Sequence, residues 1–444
     1  MTTSTDRHMP RTEETLDAVT ANSGEQSLGL PGTFALWLGA NVVVTTILTG
    51  MLLVPAIDFP TAMLIVVMGS AMGILPLVLI GVMGQRTGLT TMVLARATFG
   101  RTGAGVPAWV NLLALIAWSW IQARLAGMSL DYAISELTGY SNLALFTVIC
   151  EALVVLVVLG GHRGIERVEK IAAVLMLALA LVVAWALGRH YDMTNMLSAP
   201  AQGGISLSGA FDIVIATAFS WIPLAADYNR HCRSPRVAAL GTWGGYVSAT
   251  LIAMGLGGAV AGLAVSLGRE PTYDPTQLLS GFGFGLPAAL VIFFSVLTTN
   301  VMCVYSATLS YMSARPRAGF RRPALIIGVI TVLGAMIPGI LEEFQTFLLI
   351  IGSVFIPAFS LMIVDYYLLG DNSQRYSAER LLHADQLPAL NPVALLAYLL
   401  GAVLAYYWNW VSPLSVGASL PVFVITGALY WLGMSLSGKR REAI

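Results

Sequence analysis

Ser295, Thr298 and Thr299 stand at i, i+3 and i+4 in the run LVIFFSVLTTNVMCVYSATLSYM. That spacing puts three hydroxyls on one face of a helix. With an opposing carbonyl they form a hard-oxygen shell for a dehydrated cation such as Na+. The competing reading is that each hydroxyl bonds its own helix backbone. Asn300 beside them, with Tyr305 and Ser306 further along, lengthens the polar stripe. A second pair, Trp118 and Gln122 in AWSWIQARLAGMSLDY, is four residues apart and shares a helix face. The indole offers a stacking surface and the carboxamide both a donor and an acceptor, which together suit a flat heterocycle. Against this, Trp109, Trp118 and Trp120 also fit an aromatic belt at a bilayer surface.

Two apolar stretches carry interruptions. In SGAFDIVIATAFSWIPLAADYN, Phe219, Ser220 and Trp221 precede Pro223, which cannot donate the helical hydrogen bond. In TFALWLGANVVVTTILTGMLLVP, Gly39, Ala40 and Asn41 lie between two apolar halves. Glycine permits unwinding there, and Asn41 is costly in lipid unless it faces protein or a cavity. Either interruption also has a purely structural reading, as a proline kink or a close helix contact. Arg124, inside an apolar stretch, calls for a buried ion pair or a gating contact. Glu151, Asp212 and Asp227 are the acids on offer.

The elements that must position these residues are membrane helices. The 444-residue chain is 57% hydrophobic and 10% charged, against about 25% charged in soluble domains. Its apolar runs exceed what barrel strands allow. A net charge of zero argues against nucleic acid as a partner class. Cys150, Cys232 and Cys303 are too dispersed for a disulfide framework or a thiolate metal site. His8, His162, His190, His231 and His383 fall in tails or loops, and no hydrolase, zinc-protease or phosphate-loop signature occurs. An enzyme and a bound cofactor are therefore not expected.

Twelve apolar segments reach spanning length: 33–57, 62–83, 107–137, 142–160, 168–189, 208–228, 239–265, 285–313, 323–340, 344–369, 393–409 and 412–436. With the N-terminus inside, all but three of the 23 Lys and Arg fall in cytoplasmic regions. The exceptions are Arg124, Arg189 and Arg269. The expected organisation is a cytoplasmic tail over 1–32, a five-helix repeat over 33–190 and a second over 208–369. Two peripheral helices over 393–436, offering a dimer surface, and a cytoplasmic tail over 437–444 complete it. The loop segment LTTMVLARATFG suits a short interfacial helix, and SLGREPTYDPTQLLSGFGFG suits a lid-like element outside. Interrupted segments one and six stand five apart, as do the polar segments three and eight. Paired interruptions of this kind point to the central site of a transporter built from inverted repeats. A repeated pore loop, which would favour a channel, is absent; a ligand-sensing receptor is the remaining rival.

These residues resemble the nucleobase:cation symporter-1 family, and within it the cytosine permease-like branch, over nearly the whole chain. The likeness rests on Gly39-Ala40-Asn41, on Trp118 with Gln122, on AADYNR from Ala225 to Arg230, and on TTN at 298–300 followed by YSA at 305–307. It implies a LeuT-like all-α core of ten helices in two inverted repeats plus two peripheral helices. It also implies import of a pyrimidine or purine base by cation symport, with Na+ favoured over H+, in a bacterial cytoplasmic membrane. By matching motif, Asn41, Trp118, Gln122, Phe219, Ser220 and Asn300 are the implied substrate contacts. Trp221 replaces its neighbours if the register slips by one. Ser295, Thr298 and Thr299 are the implied cation ligands, completed by carbonyls from Asn41 to Val44. Met302 stands where cytosine permeases carry a second asparagine, so a substituted pyrimidine such as hydroxymethylpyrimidine is as admissible as cytosine.

Overall fold

The computed structural model describes residues 26–160, 162–191, 193–269, 272, 274–315, 319–369, 375–382 and 387–437. Most of both expected tails lies outside them. The chain is a helical membrane protein, and among the described residues the only extended pairing is the bridge between Leu28 and Cys232. Helices α1 (Leu30–Asn41) and α2 (Val44–Leu53) form the first, broken segment. Next come α3 (Phe59–Gly73), α4 (Leu75–Thr87), α5 (Thr91–Phe99), α6 (Gly105–Thr138), α7 (Leu143–Leu159) and α8 (His162–His190). The sixth segment is α9 (Leu207–Ser220) with α10 (Ile222–Asn229). Then follow α11 (Pro235–Ser266), α12 (Pro275–Ser280), α13 (Gly285–Ala314), α14 (Arg321–Ala335), α15 (Phe344–Leu368), α16 (Pro392–Tyr406) and α17 (Ser419–Leu436). Each of the twelve apolar segments is thus helical. By length and composition eight helices among the described residues can cross a membrane, or nine if α1 and α2 count as one bent span.

Small residues let these helices close up without side-chain interdigitation, as membrane packing favours. Gly257 of α11 lies against the Ile47 carbonyl, and Gly50 of α2 lies against Met254. A Cβ at either position would overlap backbone. Gly245 of α11 lies likewise against the backbone of Phe34 and Leu38 in α1, so the long α11 braces both halves of the broken first segment. Helices α6 and α13 run along each other, joined by the Asn111 amide donating to Ser310 Oγ at 2.8 Å.

Helix α5, the short helix expected in the loop, is buried in protein along most of its length. Its start is fixed by segment six: Thr91 N donates to Asp227 Oδ1 at 2.8 Å, and Ala226 N donates to Thr91 Oγ1 at 3.1 Å. On the opposite side, α12 sits on α6 through Ser129 and Thr276, whose hydroxyls are 2.9 Å apart. Its cap, Asp274, accepts from Thr276 N at 2.9 Å, while burial pushes the Asp274 carboxyl up from its ordinary value. The last two helices are the least enclosed, with 28% and 33% of their apolar windows buried. They are nevertheless tied to the core. The N-terminus of α17 is capped by Asp212 of α9, which accepts from Ala418 N at 2.6 Å and Ser419 N at 2.9 Å.

Candidate functional site

The site forms where two interrupted helices face two continuous ones. Between α1 and α2 the chain turns by 60°. Gly39 and Ala40 remain helical, and the break falls just beyond them, at Val42 and Val43. Val43 is extended, with φ −127° and ψ 162°. Side chains hold the turn: Asn41 Nδ2 donates to Thr250 Oγ1 at 2.7 Å, and Thr46 Oγ1 donates to Asn41 Oδ1 at 3.2 Å. A helix end leaves up to four carbonyls without intrahelical partners, so polar backbone collects at this turn inside an apolar bundle.

Segment six departs from a helix at one residue, Trp221 (φ −89°, ψ −14°). Pro223 falls in the first turn of α10, where a missing N–H costs least. The hydroxyls upstream satisfy themselves locally, Thr217 Oγ1 on Val214 O and Ser220 Oγ on Thr217 O, both at 2.6 Å. Once its proton is spent on a carbonyl, a hydroxyl presents its lone pairs to whatever lies in front of it.

A cavity lies between these breaks. Asn41, Trp118, Gln122, Ser220, Trp221 and Thr299 line it. Thr45, Thr46, Thr49, Thr217, Leu224, Leu115 and Cys303 complete the wall. Segment six contributes 217, 220, 221 and 224, an i, i+3, i+4, i+7 face. Trp118 packs edge-on against Phe344 and Phe347 of α15, with ring centroids 5.9 and 4.9 Å away. Those two aromatics, and the threonines of α2, are absent from the sequence reading. The T-T-x-x-T spacing of Thr45, Thr46 and Thr49 was a helical-face signal for the threonines; nothing local marked Phe344 and Phe347.

Several expected contacts lie elsewhere. Phe219 points away from the cavity and packs against Phe423 of α17, with centroids 6.1 Å apart. Asn300 is turned to α7, where its Nδ2 donates to Glu151 Oε2 at 2.6 Å. At the departure point in α13, Cys303 rather than Met302 reaches the cavity. Ser295 and Thr298 are buried, and Val44 is wholly enclosed at the start of α2. Thr298 Oγ1 and Thr299 Oγ1 both donate to Ser295 O, at 2.8 and 2.9 Å. These hydroxyls do bond their own backbone, and that leaves their lone pairs available. The acids offered for Arg124 are engaged elsewhere: Glu151 with Asn300, Asp212 with the start of α17, Asp227 with Thr91. Among the described residues no group of three or more His, Cys, Asp or Glu could hold a metal ion.

Broken helices around a central cavity, with hydroxyls and an indole–carboxamide pair on its wall, define a polytopic secondary transporter with a LeuT-like core. The profile of a family described as permeases for cytosine/purines, uracil, thiamine and allantoin matches residues 26–433. The chain belongs to this family, the nucleobase:cation symporter-1 permeases, and transports a small nucleobase-like molecule. It is 24% identical over 385 residues to the purine-cytosine permease fcyB of Emericella nidulans, covering 80% of this chain and 73% of that one. It is 22% identical over 364 residues to the hydantoin permease of Microbacterium maritypicum, covering 78% and 74%. In fold it is similar to the inward-facing conformation of Mhp1, with a TM-score of 0.81 at 20% identity over 95% of this chain and 94% of that one.

Proposed function

We propose that the protein imports a flat nitrogen heterocycle, a nucleobase or a hydantoin- or pyrimidine-like ring, by Na+ symport through alternating access. The observation that carries this reading is the single cavity shared by Trp118, Gln122, Ser220, Trp221 and Thr299 beside the turn at Asn41. In this reading the ring stacks on Trp118 and, from the other side, Trp221. Gln122 meets its polar edge with one donor and one acceptor, and Ser220 contributes an acceptor. Na+ is taken by the hydroxyl oxygens of Ser295, Thr298 and Thr299 with backbone carbonyls of Asn41 to Val44, the Ser295 carbonyl itself being occupied by the two threonine hydroxyls. Cation and ring drive the cycle only if they bind the outward and inward forms unequally.

The membrane arrangement belongs to the same proposal. Twelve spans, two inverted five-helix repeats over 33–190 and 208–369, two peripheral helices and both termini in the cytoplasm account for the distribution of Lys and Arg. The setting is a bacterial cytoplasmic membrane.

Radiolabelled uptake into proteoliposomes, with and without an inward Na+ gradient, across pyrimidines, purines and hydantoins tests the reading. Accumulation of one ring above its outside concentration, dependent on the Na+ gradient, is expected. Mere equilibration would instead make the protein a channel. Accumulation indifferent to Na+ would remove the cation site at Thr299, and Thr299→Ala should reproduce that indifference if the assignment holds.

A further inference from the structure

Away from the cavity, α7 carries a carboxyl group that neither the ring site nor the Na+ site uses. Glu151 lies at the middle of α7, roughly 12 Å from either end at helical rise. It is 1% exposed. Its Oε2 accepts from Asn300 Nδ2 at 2.6 Å. Its Oε1 has no hydrogen-bond partner, and neither does Asn300 Oδ1. A Cβ at Gly328 of α14 would lie 3.7 Å from Oε1, so the carboxyl fills the junction of α7, α13 and α14. Among the described residues no cation pairs with it.

An ionised carboxylate only accepts, and so does a carboxamide oxygen. The two buried acceptors without donors sit on the two groups already joined by one hydrogen bond, so one proton shared between them satisfies both. A proton on Oε1 turns Glu151 into a donor for Asn300 Oδ1 and closes an acid–amide pair. It also removes an unpaired charge from the centre of a membrane protein, where such charges mark proton or ion pathways. Turning the Asn300 amide over changes nothing, since its oxygen would then face Oε2 and need the same proton.

We propose that Glu151 is a proton-binding site of this transporter, and that the proton it shares with Asn300 is required for transport. Asn300 follows Thr299 directly and stands one turn before Cys303, both on the cavity wall. Protonation of Glu151 therefore fixes the back of the helix whose front meets substrate and cation. Loss of the proton places a carboxylate with one donor behind that wall and destabilises the packing of α7 on α13. Among the described residues the other titratable groups at this level are thiols, Cys150 beside Glu151 and Cys303 on α13. Gly328, which approaches Oε1 from α14, does not titrate. On α8, Arg189 and His190 lie at the far end of the helix. The proposal stands whether or not Na+ is the coupling ion.

Two measurements test it. Uptake at saturating Na+ should fall about tenfold per pH unit on the alkaline limb, as one required proton dictates. Glu151→Gln, which keeps the pairing with Asn300 without a titratable proton, should lose that limb. Glu151→Asp should retain it at a displaced midpoint. Infrared difference spectra of the purified protein, which need neither substrate nor Na+, should show a protonated carboxylic acid. Its band should disappear at the same midpoint and be missing in Glu151→Gln. An unchanged alkaline limb in Glu151→Gln, or no such band at acid pH, overturns the proposal. If Glu151→Gln does not fold, coincident midpoints for wild type and Glu151→Asp overturn it as well.

Discussion

The two interrupted segments reach their shapes by opposite means. Segment six contains the proline, yet it departs from a helix at one residue. Trp221 N still reaches Ala218 O and Leu224 N reaches Trp221 O, at 3.2 and 3.1 Å. Segment one has no proline at its break and turns by 60°. Its turn is held by the Asn41 amide, which bonds Thr250 on α11 and Thr46 on α2. Segment six is therefore shaped by its own backbone, segment one by a distant helix. A proline in the first turn of a half-helix is inexpensive. A carboxamide with two fixed partners is the stronger device.

The largest test of this contrast is Asn41→Ala. It leaves the Thr46 hydroxyl without its acceptor and unties the turn from Thr250, which keeps only its bond to Tyr246 O, at a cost of roughly 1–3 kcal/mol. Uptake should fall more than tenfold, together with a lower melting temperature in detergent; near-normal uptake would mean that the turn is held by backbone after all. Second comes Asp212→Ala, which leaves two buried N–H groups of α17 without an acceptor. A stability loss of about 2 kcal/mol is expected for charge-assisted bonds, with much of it recovered in Asp212→Asn. No loss in a melting experiment would show that segment six is independent of the peripheral pair. Thr46→Val removes one partner of Asn41 at similar volume, for about 1 kcal/mol, and uptake should drop less than in Asn41→Ala. The smallest effect belongs to Pro223→Ala, below about 1 kcal/mol because the N–H it restores lies in a first turn that needs none. A large loss there would return the leading role to the proline.

Much of the site was legible along the chain. Trp118 with Gln122 and Ser295 with Thr298 and Thr299 have helical spacing, and spacing alone tells which residues share a face. It does not tell which way that face looks. For segment six the cavity face holds Thr217, Ser220, Trp221 and Leu224, so Phe219, about 100° around the helix, is turned to Phe423. In α13, Thr299 and Cys303 face the cavity while Asn300, one step on, faces Glu151.

Composition, apolar length and charge placement are local sums, so the sequence alone determined a helical membrane protein, its twelve helical segments and the two places where a helix would be interrupted. Where the first interruption bends, which polar side chains meet, and whether an acid serves a cap, a loop helix or a proton depend on helices far apart in the chain. Asn41 with Thr250, Asp212 with Ser419, and Glu151 with Asn300 are pairs of that kind. Such pairs exist only once the helices cross at fixed angles, and in a bilayer every buried polar group must then find its partner inside the protein. The tertiary structure decided those partners.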